Sequence, residues 1–242
     1  NDSDTLVSIE NAIGGSLNDQ IKGNSLVNTL QGAAGDDTFI SSLENDFIYG
    51  GSLDASSNHT DSHINGDLID YSNSLNANNK LDVDLSNITT DADGNDYTQV
   101  NVLLDSDNSN VYTDRLYDIE NIKATNNNDT LYGNSLDNTF IGNAGDDTLQ
   151  GKAGVDRLEG NAGDDLFYVT DDDITNSGDE ILGGDDFDTV NYNGVTTGVD
   201  INLESGSTVT VDIGGETHTL NGIEHLVGTD LQDRLTGDAN LN

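Results

Sequence analysis

The chain has 242 residues, with 46 Asp plus Glu against 7 Lys plus Arg and a formal net charge of -39. That balance argues against nucleic acid as a partner, because phosphate binding needs Lys and Arg, and it disfavours adsorption to anionic membranes. No apolar run approaches the roughly 18 residues of a membrane helix, no signal-peptide pattern opens the chain, and the absence of Cys removes disulfides and thiolate metal sites.

Pro and Met are also absent and the first residue is Asn1, which suggests an excised internal segment or a processed product. Charge and modest hydrophobicity alone would place the chain among disordered ones. Fixed-interval repeats oppose that reading, and the two signals are reconciled if bound cations neutralise the acids as the chain folds.

A long period comes first in chain order. S-I-E-N-A-I-G-G-S-L-N-D (8–19) recurs as D-I-E-N-I-K-A-T-N-N-N-D (118–129) and as G-I-E-H-L-V-G-T-D-L-Q-D (222–233). Each start leads into nine-residue units. The first block runs from Gly14 to Tyr49, with Asp19, Asn28, Asp37 and Asp46 at the sixth positions. The spacer that follows is β-like: I-D-Y-S-N-S (69–74), L-D-V-D-L (81–85) with period-two alternation, and Q-V-N-V-L-L (99–104).

The second block runs from Asn126 to Tyr168, with Asp129, Asn138, Asp147, Asp156 and Asp165 at position six. Its spacer holds V-N-Y-N-G-V (190–195), V-D-I-N-L (199–203) and T-V-T-V-D-I (208–213), the last followed by a Gly214-Gly215 hairpin turn. A third block opens at Gly228 with Asp233. No stretch shows an amphipathic helix. The expected fold is all-β: parallel β-roll blocks alternating with antiparallel hairpin or spacer segments. The expected modules are 1–118 (roll about 8–65, spacer 66–118), 119–222 (roll about 119–192, spacer 193–222) and the start of a third roll at 223–242.

Within G-N-A-G-D-D-T-L-Q (142–150), glycines at positions one and four are expected to take the positive φ of a tight turn. Position eight carries a large apolar residue: Ile21, Leu30, Phe39 and Ile48, then Leu131, Phe140, Leu149, Leu158 and Phe167. One such residue per nine cannot bury itself in an isolated unit, whereas stacked coils line these residues up in an interior row. With two units per coil, acids of units i and i+2 face each other: Asp129 with Asp147, Asn138 with Asp156, Asp147 with Asp165. Adding turn carbonyls makes an all-oxygen cage, which suits Ca²⁺ over softer metals.

These units resemble the G-G-x-G-x-D-x-U-x repeats of the RTX family of secreted bacterial proteins, and the 8–19 string is similar to the opening of the β-roll in serralysin-type metalloproteases. The resemblance implies a right-handed parallel β-roll, several bound Ca²⁺ ions, type I secretion and folding outside the cell. The implied metal residues are Asp19, Asp37, Asp46, Asp129 and Asp233, together with the turns Gly142, Ala144, Gly145, Asp147; Gly151, Ala153, Gly154, Asp156; and Gly160, Ala162, Gly163, Asp165. Gly183, Asp186 and Asp188 complete the set, with Asp186 offering an extra ligand at position four.

Leu17, Leu26 and Leu136 stand where the fourth glycine belongs, unit 41–49 has no glycine, and Asn28 and Asn138 replace the acid. Calcium binding should therefore be stronger in the second block. His59 and His63 are four apart but lack an intervening Glu general base, His218 and His225 read as structural or surface residues, and Asp171-Asp172-Asp173 reads as a solvated turn. No G-x-S-x-G occurs, and no carboxylate pair stands out as a glycosidase acid and base. Tyr71 and Tyr192 hold equivalent places, which suggests packing. The expected protein is a non-enzymatic, calcium-dependent module of a secreted or cell-surface protein (adhesin, matrix or S-layer type). The alternatives are a non-catalytic region of a secreted enzyme or a polysaccharide-binding module. Its expected partners are calcium ions, with other copies of itself or surface glycans as further candidates.

Overall fold

The computed structural model describes residues 9–42, 44–51, 66–72, 78–92, 94–104, 109–171, 178–203, 208–213 and 215–237. His59, His63, Asp172, Asp173 and Gly214 lie outside them. All regular structure in the described residues is β apart from a single 3₁₀ position at Leu203.

The first six strands are β1 (Asn11–Ile13), β2 (Gln20–Lys22), β3 (Thr29–Gln31), β4 (Thr38–Ile40), β5 (Phe47–Tyr49) and β6 (Leu68–Asp70). They alternate between two sheets, as one strand per nine residues requires. A longer meander follows, β7 (Asn79–Thr90), β8 (Asp96–Leu104) and β9 (Asn110–Tyr117). Alternation then resumes through β10 (Asn121–Lys123), β11 (Thr130–Tyr132), β12 (Thr139–Ala144), β13 (Thr148–Gln150), β14 (Arg157–Ala162), β15 (Leu166–Thr170), β16 (Glu180–Asp185) and β17 (Thr189–Gly194). The last strands are β18 (Asp200–Asn202), β19 (Thr208–Ile213), β20 (Glu216–Asn221), β21 (His225–Val227) and β22 (Arg234–Thr236).

One sheet has the order β1-β3-β5-β9-β8-β7-β11-β13-β15-β17-β21 and the other β19-β20-β16-β14-β12-β10-β6-β4-β2, while β18 and β22 pair separately. Pairing is parallel except at β7–β8, β8–β9 and β19–β20. This is a parallel β-roll with hairpin insertions. The spacer meander does not stand apart from the roll: β9 continues from β5 and β7 leads on to β11, so the sheet passes through it.

The register explains the position-eight pattern. In the second sheet Ile21, Phe39, Ile69, Ile122, Phe140, Leu158, Ile181 and Leu220 are successive partners. In the first, Val83, Leu131, Leu149, Phe167, Val190 and Leu226 form the facing row. Most are fully buried; Ile21 and Leu226, at opposite ends, are only partly covered. Tyr71 and Tyr192 join the same core, which matches a packing role. Because Phe140 is 0% exposed at the centre of its row, Phe140→Ala should cost about 3–5 kcal/mol. Denaturant titration in saturating calcium would read that loss, and an unchanged midpoint would contradict the interior row.

Candidate metal centre

The turns between sheets stack along two edges of the roll. Each position-six side chain immediately precedes a strand, and its carboxylate reaches back to the previous coil. Asp129 N–H donates to Asp147 Oδ1 at 2.7 Å and Asp147 N–H to Asp165 Oδ1 at 2.8 Å. Asp165 N–H then donates to Asp188 Oδ1 at 2.9 Å. On the other edge Asp19 N–H meets Asp37 Oδ1 at 2.7 Å and Asn138 N–H meets Asp156 Oδ1 at 2.7 Å. The acids paired on sequence spacing are thus neighbours along each edge, joined through the main chain.

Positive φ falls at positions two and four, a correction to the expectation of one and four. Asn143, Lys152, Asn161 and Ala33 at position two have φ of 79, 70, 81 and 86°, and Gly145, Gly154, Gly163 and Gly35 at position four lie between 112 and 130°. Position one is glycine for space instead. A Cβ on Gly142 would strike Asp147 Oδ2 and come within 2.9 Å of the Gly160 carbonyl. Gly160 stands in the same relation to Asp165 Oδ2 and the Gly183 carbonyl, as Gly183 does to Asp188 Oδ2 and the Gly222 carbonyl.

The turns divide into two kinds. In closed turns the position-two N–H binds the position-six oxygen: Asn24 to Asn28 (2.8 Å), Thr125 to Asp129 (2.8 Å), Asn134 to Asn138 (3.1 Å) and Thr229 to Asp233 (2.8 Å), with Gly15 to Asp19 alike. The position-two side chain also takes the position-four N–H: Asn24 Oδ1 accepts from Leu26 and Asn134 Oδ1 from Leu136, each at 2.8 Å. That bond closes the turn without positive φ at position four, so leucine fits where glycine would otherwise be required. In the open turns the positive φ at positions two and four carries the chain around instead. The Oδ2 atoms of Asp147, Asp165 and Asp188 are left buried without a hydrogen-bond partner. Such atoms are costly unless something else satisfies them.

Burial first, and then the charges of Asp129, Asp165 and Asp146, push Asp147 up to about 9, against the lowering effect of the Asp129 N–H. Burial likewise lifts Asp165 to about 6 and Asp188 to about 7. A stack of buried carboxylates without countercharge holds protons or needs a cation. Among the described residues no three His, Cys, Asp or Glu side chains are placed to hold a metal. A centre here therefore takes one or two carboxylates plus main-chain carbonyls, an oxygen donor set that fits Ca²⁺.

The remaining predicted residues divide accordingly. Both oxygens of Asp46 are already bonded, by Asn28 N–H and the Ser42 hydroxyl. Asp129 is bonded by Leu81 and Thr125, and Asp233 by Val199 and Thr229. Asp186 is exposed at position four with φ of 78°. The Ala162 carbonyl already accepts the Gly145 N–H at 2.9 Å, while Ala144 and Ala153 occupy the corresponding third positions of the turns beginning at Gly142 and Gly151.

Five members of the edges escape the nonapeptide pattern: Asp67, Asp114, Glu120, Asp179 and Glu224. Each lies two residues before an interior apolar residue (Ile69, Leu116, Ile122, Ile181, Leu226), so D/E-x-U without the glycine turn was the readable signal. Asp114, which burial raises to about 7, accepts Asp46 N–H at 2.8 Å and Tyr71 O–H at 2.9 Å. It is a rung satisfied by the protein itself. One edge ends in His218, fully buried with Nδ1 3.1 Å from Asp179 Oδ2. His225 is exposed and its ring stacks on Phe187.

The fold and its edges define a calcium-binding parallel β-roll. The family described as RTX calcium-binding nonapeptide repeat (4 copies) matches residues 13–48 and 132–167, and the chain carries these repeats. Among solved structures it is similar to the extracellular lipase LipA from Serratia marcescens, at 18% identity and a TM-score of 0.29. That match covers 91% of this chain and 39% of the lipase chain, so this chain spans well under half of that protein. No curated protein matches. No helix among the described residues is long and apolar enough to cross a membrane.

Proposed function

We propose that the chain is a non-catalytic structural module of a secreted or cell-surface bacterial protein of adhesin, matrix or S-layer type, ordered by calcium at its open turns. The observation that carries this reading is the buried, unpartnered Oδ2 of Asp147, Asp165 and Asp188, each beside a glycine whose missing Cβ lets that oxygen and a carbonyl of the next coil draw together. Asp156 and, in the first block, Asp37 stand in turns of the same shape, with positive φ at Lys152 and Gly154 and at Ala33 and Gly35.

Bound Ca²⁺ would supply the positive charge that paired carboxylates on adjacent coils lack. The residues do the rest. Position-one glycine lets Oδ2 and the carbonyl draw together, positive φ at positions two and four turns the chain around them, and Oδ1 stays tied to the previous coil. The closed turns at Asn28 and Asn138 stack without needing an ion.

Calcium should bind with the affinity typical of extracellular modules, Kd about 10⁻⁴–10⁻³ M. Replacing Asp147 and Asp165 together by Asn should lower the number of calcium ions bound per chain in equilibrium dialysis. The same change at Asp129 should leave that number nearly unaltered. Equal losses from both variants would remove the distinction between open and closed turns and with it the reading of the site.

A further inference from the structure

Outside the nonapeptides, one rung shares with the open turns a buried carboxylate oxygen without a hydrogen-bond partner, and it is assembled from two spacer acids 53 positions apart. Asp67 precedes β6 and Glu120 precedes β10, and the parallel pairing of those strands puts them on adjacent coils. The edge ladder runs through both: Asp37 N–H donates to Asp67 Oδ1 at 2.7 Å, and Asp67 N–H donates to the Glu120 carboxylate. Beyond them Asn138 Nδ2 holds the Glu120 carbonyl at 2.9 Å.

A cradle accompanies the pair. A Cβ on Gly50 would collide with both Asp67 Oδ2 and the Asp118 carbonyl, the relation Gly142 has to Asp147 and Gly160. Glu120 is 6% exposed, and its Oε2 is buried without a hydrogen-bond partner. Its strongest charged neighbour is Asp67, and no lysine or arginine among the described residues lies within ion-pair distance of it. Two carboxylates and one carbonyl, drawn together beside a glycine, make a hard-oxygen donor set in which the Glu120 oxygen has no partner.

We propose that Asp67, Glu120 and the Asp118 carbonyl form a divalent-cation site of the Ca²⁺ class that joins the coils before the β7–β9 meander to those after it. The site extends the calcium reading of the open turns to a position outside the repeats. Its consequence is architectural. The meander interrupts the stack on the first sheet, and this ion ties the two tracts together on the opposite sheet, where β6 and β10 meet directly.

The test is Glu120→Gln in the full chain. Gln reproduces the shape and hydrogen-bonding capacity of a protonated Glu120, so the fold without calcium is preserved, and melting in EGTA should match or exceed that of the native chain. Equilibrium dialysis against calcium should show one ion fewer per chain. Asp67→Asn should lose the same single ion, and the double variant no more than one, since the two acids share it. If Glu120→Gln binds as many ions as the native chain, the rung is held by a proton and the proposal is overturned, while the reading of the open turns stands. If the native chain binds no calcium, both fall together.

Discussion

Chelating calcium at neutral pH should strip protection from β13–β17 while β5 and the β7–β9 meander keep theirs. The open rungs at Asp147, Asp156, Asp165 and Asp188 crowd the later coils. On the first sheet's edge, the rungs beside the meander are satisfied by protein groups: Ser42 on Asp46, and Tyr71 on Asp114. An ion that binds only the folded state adds about 2.7 kcal/mol per site when free calcium is ~100 Kd. Several such sites together rival the ~5–15 kcal/mol that holds an ordinary domain folded. Hydrogen exchange with EGTA and with 10 mM calcium would map the difference. Uniform protection in both conditions would show that the roll does not need the ion.

The second large effect is on pH. Without calcium, Asp147, Asp129, Asp188 and Asp165 are raised to about 9, 7, 7 and 6, chiefly by burial. In the unfolded chain they titrate near 4. Between those limits the folded state binds more protons than the unfolded one, so stability falls as pH rises. The calcium-free roll should therefore hold its β structure at pH 5.5 and lose it by pH 9, with the self-repulsion of a chain this acidic acting in the same direction. Calcium replaces the protons, so it should restore structure most strongly at the alkaline end. Circular dichroism across that range in EGTA checks this, and a roll that grows more stable toward pH 9 without calcium would refute it.

These two effects separate what each level of structure contributes. Position eight and position six were readable because each depends on a local spacing. An acid two residues before an apolar residue faces the edge while the apolar one faces inward, whatever the neighbouring coil contains. The same spacing marks Asp67, Asp114, Glu120, Asp179 and Glu224, which the glycine motif alone passed over. Leu136 in place of glycine was legible as a departure, but its remedy, the Asn134 side chain on the Leu136 N–H, exists only in the folded turn.

By itself, then, the sequence determined the β-roll, its two interior rows and the oxygen chemistry of its edges, because a nine-residue period with one apolar residue can bury that residue only by stacking. Only the tertiary structure decided which carboxylates are left for an ion. That choice turns on the second oxygen of each acid, and its partner comes either from the turn's own backbone or from distant groups. Tyr71 reaches Asp114 from 43 positions away, and Glu120 meets Asp67 across the whole meander. Long-range pairing of this kind leaves no period in the sequence, because it depends on where the sheets resume after an insertion.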